Sequence, residues 1–217
     1  MRAGAERLID LPLAVPTAIS GLGESALLIV TAAFLAGWFW VSRQHAMALG
    51  WLLAVGGCAA SMFLVKLGFL TCGHLILAAG IRSPSGHTAM AEVFYGAAAI
   101  TLNSALAAHA RSRLVGLALA AAVVVAVSLS RLMVHAHSAP EVVTGLAVGA
   151  VWLVGFVRLK RKVPVIAIPR AVLILGLVVV YGGFLAVVES GTHITAEGLL
   201  SHIALVLQQS AHVCTPD

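Results

Sequence analysis

Two polar stretches interrupt a chain that is otherwise rich in Ala, Val, Leu and Gly. The first is SPSGHTAM, residues 83–90, and the second is SRLMVHAHSAPEV, residues 130–142. Histidine can act as a nucleophile or as a general acid and base, and arginine binds oxyanions with paired hydrogen bonds. The residue types in these two stretches therefore indicate chemistry on an anionic group such as a phosphate.

The segment Pro84-Ser85-Gly86-His87 lies directly before a long apolar run. The first N–H groups of a helix have no carbonyl partner within that helix, so they can bind an anion, and glycine lets a ligand approach the backbone closely. The segment therefore predicts an anion site where a helix begins. The alternative is an ordinary turn in which a serine caps the helix.

The composition is that of an integral membrane protein. Of 217 residues, 61% are hydrophobic and 10% are charged, and the mean hydropathy is +1.05. A helix needs roughly 20 mostly apolar residues to cross a bilayer. The chain is therefore predicted to be all-α, a polytopic bundle of about six transmembrane helices. The predicted spans are 25–42, 46–65, 88–108, 113–133, 141–157 and 170–188.

The predicted domain organisation has three parts. Residues 24–190 form the membrane domain, residues 1–23 form an interfacial or re-entrant segment, and residues 191–217 form an amphipathic tail. The tail alternates apolar and polar positions at helical spacing, which is typical of a helix lying along the membrane surface. The alternative is that it covers the helix bundle.

Basic residues fall mainly on one side of the predicted spans. Because cytoplasmic loops carry an excess of Lys and Arg, this side is predicted to be cytoplasmic, and the loops with SPSGHT and SRLMVHAHSAPE are predicted to face the periplasm of a bacterial inner membrane. The net charge of +5 is explained by this topology and does not indicate nucleic-acid binding. The basic side holds Arg43, Arg111, Arg113, Arg158, Lys160, Arg161, Lys162 and Arg170.

The order of these motifs resembles that of the type 2 phosphatidic acid phosphatase family, which is related to the vanadium haloperoxidases. The family is marked by Lys-x6-Arg-Pro, then Pro-Ser-Gly-His, then Ser-Arg-x5-His-x3-Asp. The second motif is intact at residues 84–87, and the third matches at Ser130, Arg131 and His137, with Glu141 in place of Asp. The resemblance spans roughly residues 24–157.

The first motif departs from the family pattern. Lys66 is present, but Gly73 and His74 stand where the Arg and Pro are expected. One phosphate-binding guanidinium is therefore missing. Arg82, just before the second motif, is a candidate to replace it.

The resemblance implies a role for each matching residue. His137 would attack phosphorus and form a phosphohistidine, and Glu141 would hold the other ring nitrogen. His87 would protonate the leaving alkoxide and then activate water. The implied phosphate-binding residues are Lys66, Arg131, Ser85, Gly86 and Arg82. No metal or other cofactor is implied.

Several residues have a second interpretation. Ser138-Ala139-Pro140-Glu141 also fits a capping box with Pro in the first helical turn, so Glu141 has a structural alternative. His135 and His137 together are a candidate metal pair without a complete ligand set. Cys58 is expected to pack against other apolar side chains. The sequence leaves open whether Cys72 and Cys214 form a disulfide.

The sequence as a whole predicts a membrane phosphatase that removes phosphate from a lipid phosphate monoester or pyrophosphate. By resemblance, the candidate substrates are phosphatidic acid, phosphatidylglycerol phosphate, undecaprenyl pyrophosphate and lipid A phosphates. The alternatives are a lipid phosphotransferase, a vanadate-dependent oxidase, and an inactive binding or transport protein that retains the fold. The predicted partners are a lipid phosphate and the bilayer, and the oligomeric state is left open.

Overall fold

The computed structural model describes residues 15–76, 83–105 and 110–161, together with isolated positions between 163 and 206. Every regular element within these residues is helical, as the sequence predicts. Residues 15–21 are helical, and the end of this helix continues into a turn at residues 20–24, where the Gly23 and Glu24 N–H groups donate to the carbonyls of Ser20 and Gly21. The longer elements are α1 (Ser25–Val41), α2 (His45–Trp51), a π-helical turn (Leu52–Gly56), α3 (Gly57–Ile76), α4 (Gly86–Ala105), α5 (Ala110–Met133) and α6 (Ala139–Lys160).

Four helical stretches are long and apolar enough to cross a membrane. They are Val15–Val41, His45–Thr71, Ala110–Met133 and Ala139–Lys160. The predicted span 88–108 falls on α4, which carries more polar residues than these four and is largely enclosed by its neighbours. The predicted span 170–188 lies mostly outside the described residues, so the structure supports a membrane bundle without fixing the count at six.

The central element is α4, which packs chiefly against α5 and α6. Its buried face is rich in alanine, and two glycines of α6 pack directly on it. A Cβ atom at Gly149 would lie 2.7 Å from the Ala89 carbonyl oxygen, and a Cβ at Gly145 would overlap the carbonyl of Ser85. Small residues let helix backbones approach closely in membranes. This spacing brings the N-terminus of α6 against the N-terminus of α4.

Aromatic residues fill the core away from these helix N-termini. The ring of Trp51 contacts those of Phe94 and Phe156 edge to face, with centroids 5.6 and 5.7 Å apart. Cys58 is fully buried in the same core, in agreement with the packing role predicted for it. The Cys72–Cys214 pairing that the sequence leaves open lies outside the described side chains.

The second predicted span is too short. The sequence places its end at Lys66, whereas the helix continues to Ile76. Cys58, Met62 and Lys66 are spaced four residues apart and are all buried, so they lie on one inward-facing stripe. Because the lysine faces the bundle, its charge does not end the helix. Lys66 lies inside α3 and not at its terminus.

Candidate active site

Glu141 joins the two motif loops at the N-terminus of α6. Its Oε1 atom accepts a hydrogen bond from the Ser83 backbone N–H at 2.9 Å, and its own carbonyl oxygen accepts one from the Ser85 N–H at 3.0 Å. These bonds connect residues that are 58 and 56 positions apart in the chain. The segment before α4 and the segment before α6 therefore form one site.

The carboxylate of Glu141 also completes the predicted capping box. Ser138 is the N-cap of α6, Pro140 lies in the first turn, and the Ser138 N–H donates to Glu141 Oε2 at 2.9 Å. The same Oε2 atom lies 3.2 Å from His137 Nδ1. The two interpretations of Glu141 are thus compatible, because one buried carboxylate caps the helix and contacts the imidazole.

His137 is held by the way α5 ends. The backbone N–H groups of Ala136 and His137 both donate to the Arg131 carbonyl, at 3.1 and 3.3 Å. This reversal requires His135 to adopt a φ of 53°, a left-handed conformation that histidine enters more often than most residues. The loop therefore places the side chain of His137 against Glu141 with 6% exposure, and the side chain of His135 in solvent.

The electrostatic surroundings of His137 favour the neutral ring. Burial lowers its pKa from the ordinary value of 6.5, the hydrogen bond with Glu141 opposes that shift, and the positive charges of Arg131 and Lys66 lower the pKa further. A neutral imidazole whose Nδ1–H donates to a carboxylate has its lone pair on Nε2. The arrangement therefore presents a nucleophilic nitrogen close to two cations.

Lys66 reaches the N-terminus of α4 from the buried face of α3. Its side chain is close enough to Gly86 that a Cβ atom there would lie 3.8 Å from Lys66 Nζ, and Lys66 is only 9% exposed. An ammonium group beside the first turn of a helix reinforces the positive end of the helix dipole. Lys66 and Gly86 therefore form a site suited to an anion.

The second motif forms the turn that the sequence predicts, with one correction. Helix α4 begins at Gly86, and Pro84 and Ser85 are buried. The N–H of Ser85, expected to be available to a phosphate, is instead bonded to the Glu141 carbonyl. The first bond of this helix runs from the Ala89 N–H to the Ser85 carbonyl at 3.2 Å, so the N–H groups that precede it are the ones placed to bind an anion. The Ser85 hydroxyl pairs with that of Thr88 at 2.9 Å.

His87 contacts a residue that the motifs do not include. Its Nε2 atom lies 3.1 Å from Oε2 of Glu24, at the N-cap of α1. Nearby, Arg131 Nη1 donates to the Ser20 hydroxyl at 2.7 Å. Motif spacing gives no signal for Glu24 or Ser20, because both precede the first motif and reach the site only through tertiary packing.

The structure thus brings together most of the predicted site residues. Glu141 contacts His137 and the backbone of Ser85, and Lys66 packs beside Gly86. Arg131 and His87 lie beside the turn at residues 20–24. Arg82 lies outside the described residues, so its proposed replacement of the missing arginine stays a prediction.

Comparisons with known proteins identify relatives of this chain. Residues 70–164 match the model of the PAP2 superfamily, a range that contains the second and third motifs. The chain is also 32% identical over 149 residues to a Klebsiella pneumoniae protein described as an uncharacterized 22.5 kDa protein in the cps region. That alignment covers 67% of this chain and 69% of the relative.

The chain belongs to the PAP2 superfamily. The resemblance to type 2 phosphatidic acid phosphatases that the motifs carry is thereby confirmed, and membership indicates a phosphatase. The superfamily match begins at residue 70 and so does not include Lys66. Placing Lys66 at the candidate site therefore depends on its packing against Gly86. No solved structure matches the chain.

Proposed function

We propose that this PAP2 superfamily member hydrolyses a lipid phosphate monoester or pyrophosphate through a phosphohistidine on His137. The observation that carries the proposal is the buried contact of 3.2 Å between His137 Nδ1 and Glu141, next to the cationic N-terminus of α4. The contact fixes the tautomer that leaves Nε2 free to attack. Lys66, Arg131 and the first N–H groups of α4 supply positive potential for the phosphoryl oxygens.

The reaction has two balanced steps. In the first, Nε2 of His137 bonds to phosphorus, the bond from phosphorus to the ester oxygen breaks, and His87 transfers a proton to that oxygen. The positive charge that develops on the His137 ring is stabilised by Glu141. In the second, His87 takes a proton from water, the water oxygen bonds to phosphorus, and the phosphorus–nitrogen bond breaks. His137 returns to its neutral form and inorganic phosphate is released.

The membrane helices support a lipid as the substrate. Large apolar side chains are exposed along α5 and α6, including Leu114, Leu119, Val143 and Val151. Such surfaces are compatible with acyl or isoprenyl chains. A lipid phosphate can therefore present its head group to the site while its tail stays in the bilayer.

The test is phosphate release from a panel of lipid phosphates by the purified protein. His137→Ala and His87→Ala are expected to reduce kcat by about a hundredfold or more, since each removes a group that acts directly in the chemistry. His135→Asn is the matched control, because it alters a neighbouring solvent-exposed imidazole and asparagine tolerates the left-handed backbone.

Full activity in His137→Ala would contradict the proposal. Transfer of phosphate to an added alcohol, in place of its release, would instead identify a phosphotransferase.

A further inference from the structure

The turn at residues 20–24 is bound to the candidate site by several independent contacts. Ser20 accepts a hydrogen bond from Arg131, and the carbonyl of Leu22 accepts one from Tyr95 Oη at 2.8 Å. Gly23 packs so closely that a Cβ atom there would lie 3.0 Å from the His87 carbonyl oxygen. The turn therefore has a defined position against α4 and α5.

The last residue of this turn contacts the proposed general acid. Glu24 Oε2 lies 3.1 Å from His87 Nε2, and it also interacts electrostatically with Arg131. The Glu24 side chain is 44% exposed and the His87 side chain 19%. Glu24 thus contacts the imidazole from the more open side of the site, whereas Lys66 and Gly86 lie in its buried part.

We propose that Glu24 is a positioning residue for His87. The inference rests on the proposed phosphatase function and assigns the residue that orients its general acid. The carboxylate accepts a hydrogen bond from Nε2–H and keeps that nitrogen protonated throughout the cycle. Proton exchange with the reactants then takes place at Nδ1 alone.

The proton balance follows from this arrangement. Nδ1–H gives its proton to the ester oxygen as that oxygen leaves phosphorus, and the neutral ring retains its proton on Nε2. The lone pair on Nδ1 then accepts a proton from the water that attacks the phosphohistidine. Without the carboxylate, the neutral ring can adopt the other tautomer, in which Nδ1 cannot act as a base.

Glu24→Gln tests the proposal, because the loss of activity that it causes should depend on whether the leaving group needs a proton. Gln preserves size but lacks the negative charge that stabilises Nε2–H, so the doubly protonated ring that gives its Nδ1 proton to the leaving group is less favoured and less well oriented. We compare kcat/KM for an alkyl lipid phosphate with kcat/KM for p-nitrophenyl phosphate. This parameter reports the steps up to phosphohistidine formation, in which an alkoxide needs a proton and p-nitrophenolate leaves without one.

The variant is expected to lose about tenfold or more in kcat/KM for the alkyl phosphate, and much less for p-nitrophenyl phosphate. Glu24→Asp keeps the charge and is expected to recover part of the loss. Tyr95→Phe is the matched control, since it removes another hydrogen bond to the same turn without touching His87. It is expected to leave the ratio between the two substrates unchanged.

Three outcomes decide against the positioning role. An equal loss with both substrates would mean that Glu24 serves only structure or phosphate binding, and a gain with both would mean that it blocks the site. The same change of ratio in Tyr95→Phe would assign the effect to docking of the turn. Failure of the phosphatase proposal is recognised separately, because the wild-type protein would then release phosphate from neither substrate.

Discussion

Each of the two histidines in the candidate site contacts a glutamate, but in different surroundings. The pair of His137 and Glu141 is buried at 6% and 7% exposure, whereas Glu24 beside His87 is half-exposed. A nucleophile that forms a covalent bond benefits from a fixed tautomer and limited access for water. A residue that exchanges protons with leaving groups and water needs an open side. The difference in burial matches the two proposed roles.

The lowered pKa of His137 predicts the acid limb of the pH profile. In the proposed mechanism the neutral ring is the nucleophile, and burial together with Arg131 and Lys66 lowers its pKa below the ordinary value of 6.5. Activity should therefore persist at pH values below 6.5 and fall only when His137 gains a proton. The measurement is kcat/KM against pH with one substrate throughout, so that titration of the substrate itself is common to all profiles.

Lys66→Met provides the comparison for this prediction. Removing a positive charge makes protonation of His137 easier, so the acid limb is expected to move to higher pH, in addition to any loss of phosphate binding. A limb that stays in place or moves to lower pH would show that His137 is not the group that titrates.

The sequence predicted which motif residues lie close together, but it did not predict all the contacts that these residues make. The spacing from Arg131 to His137 and on to Glu141 selected the imidazole that contacts Glu141 over His135, because the turn that ends α5 orients one ring inward and the other outward. It did not predict Glu24, whose contact with His87 joins residues 63 positions apart. Contacts of this kind depend on how helices pack, which residue spacing does not encode.

The helices position the site through close approach of their backbones. Gly145 lies one turn after Glu141 and packs against the carbonyl of Ser85, so the docking of α6 on α4 and the bond between Ser85 and Glu141 depend on the same contact. Gly149 continues that contact along α4. A small change in this interface should therefore affect the site directly.

Gly145→Ala is expected to destabilise the bundle and to reduce activity. Its methyl group would meet backbone atoms that cannot move aside, a type of overpacking that costs about 1–3 kcal/mol. The measurement is the thermal unfolding midpoint in detergent together with kcat.

Gly155→Ala is the matched control in the same helix, because a Cβ atom there has no neighbour within 4 Å among the described residues. It is expected to leave stability unchanged or raise it by up to about 1 kcal/mol. Equal effects of the two substitutions would mean that helix propensity, and not packing, determines the result.

Helix positions were predictable where charged residues or turn residues mark both ends of an apolar run, as at α1, α5 and α6. The end of α3 was not, because Lys66 faces the bundle and a buried charge does not mark a boundary. The π-helical turn at Leu52–Gly56 was also missed. It inserts an extra residue in one turn of a continuous helix. The surrounding residues are apolar with or without that insertion, so the sequence pattern does not reveal it.

The whole molecule has a polar site at one end of the bundle and basic residues at the other. The motif loops around α4 and α6 form the first end, and Arg111, Arg158 and Arg161 lie at the second. The rule that cytoplasmic loops are rich in Lys and Arg predicts that the site faces the periplasm. A periplasmic site would act on lipid phosphates of the outer leaflet of the inner membrane.

Cysteine labelling in intact bacterial cells tests this orientation. Cys72 and Cys214 are replaced by serine, Cys58 is kept because it is fully buried, and a single cysteine is introduced at an exposed position. Ala136→Cys, in the site loop, is expected to react with a membrane-impermeant maleimide. Ala110→Cys, at the other end of α5, should react only after the membrane is permeabilised. The reverse pattern would place the site in the cytoplasm.

The position of Glu141 has a consequence for biogenesis. Its single carboxylate caps α6, holds the backbone before α4 and contacts His137. During insertion, α4 leaves the ribosome well before α6, whereas His137 and Glu141 emerge together, four residues apart, so the proposed nucleophile meets its anion site only when α6 docks on α4. A nascent or half-inserted chain would therefore be unable to attack the lipid phosphates proposed as substrates, and hydrolysis would begin only with the assembled bundle.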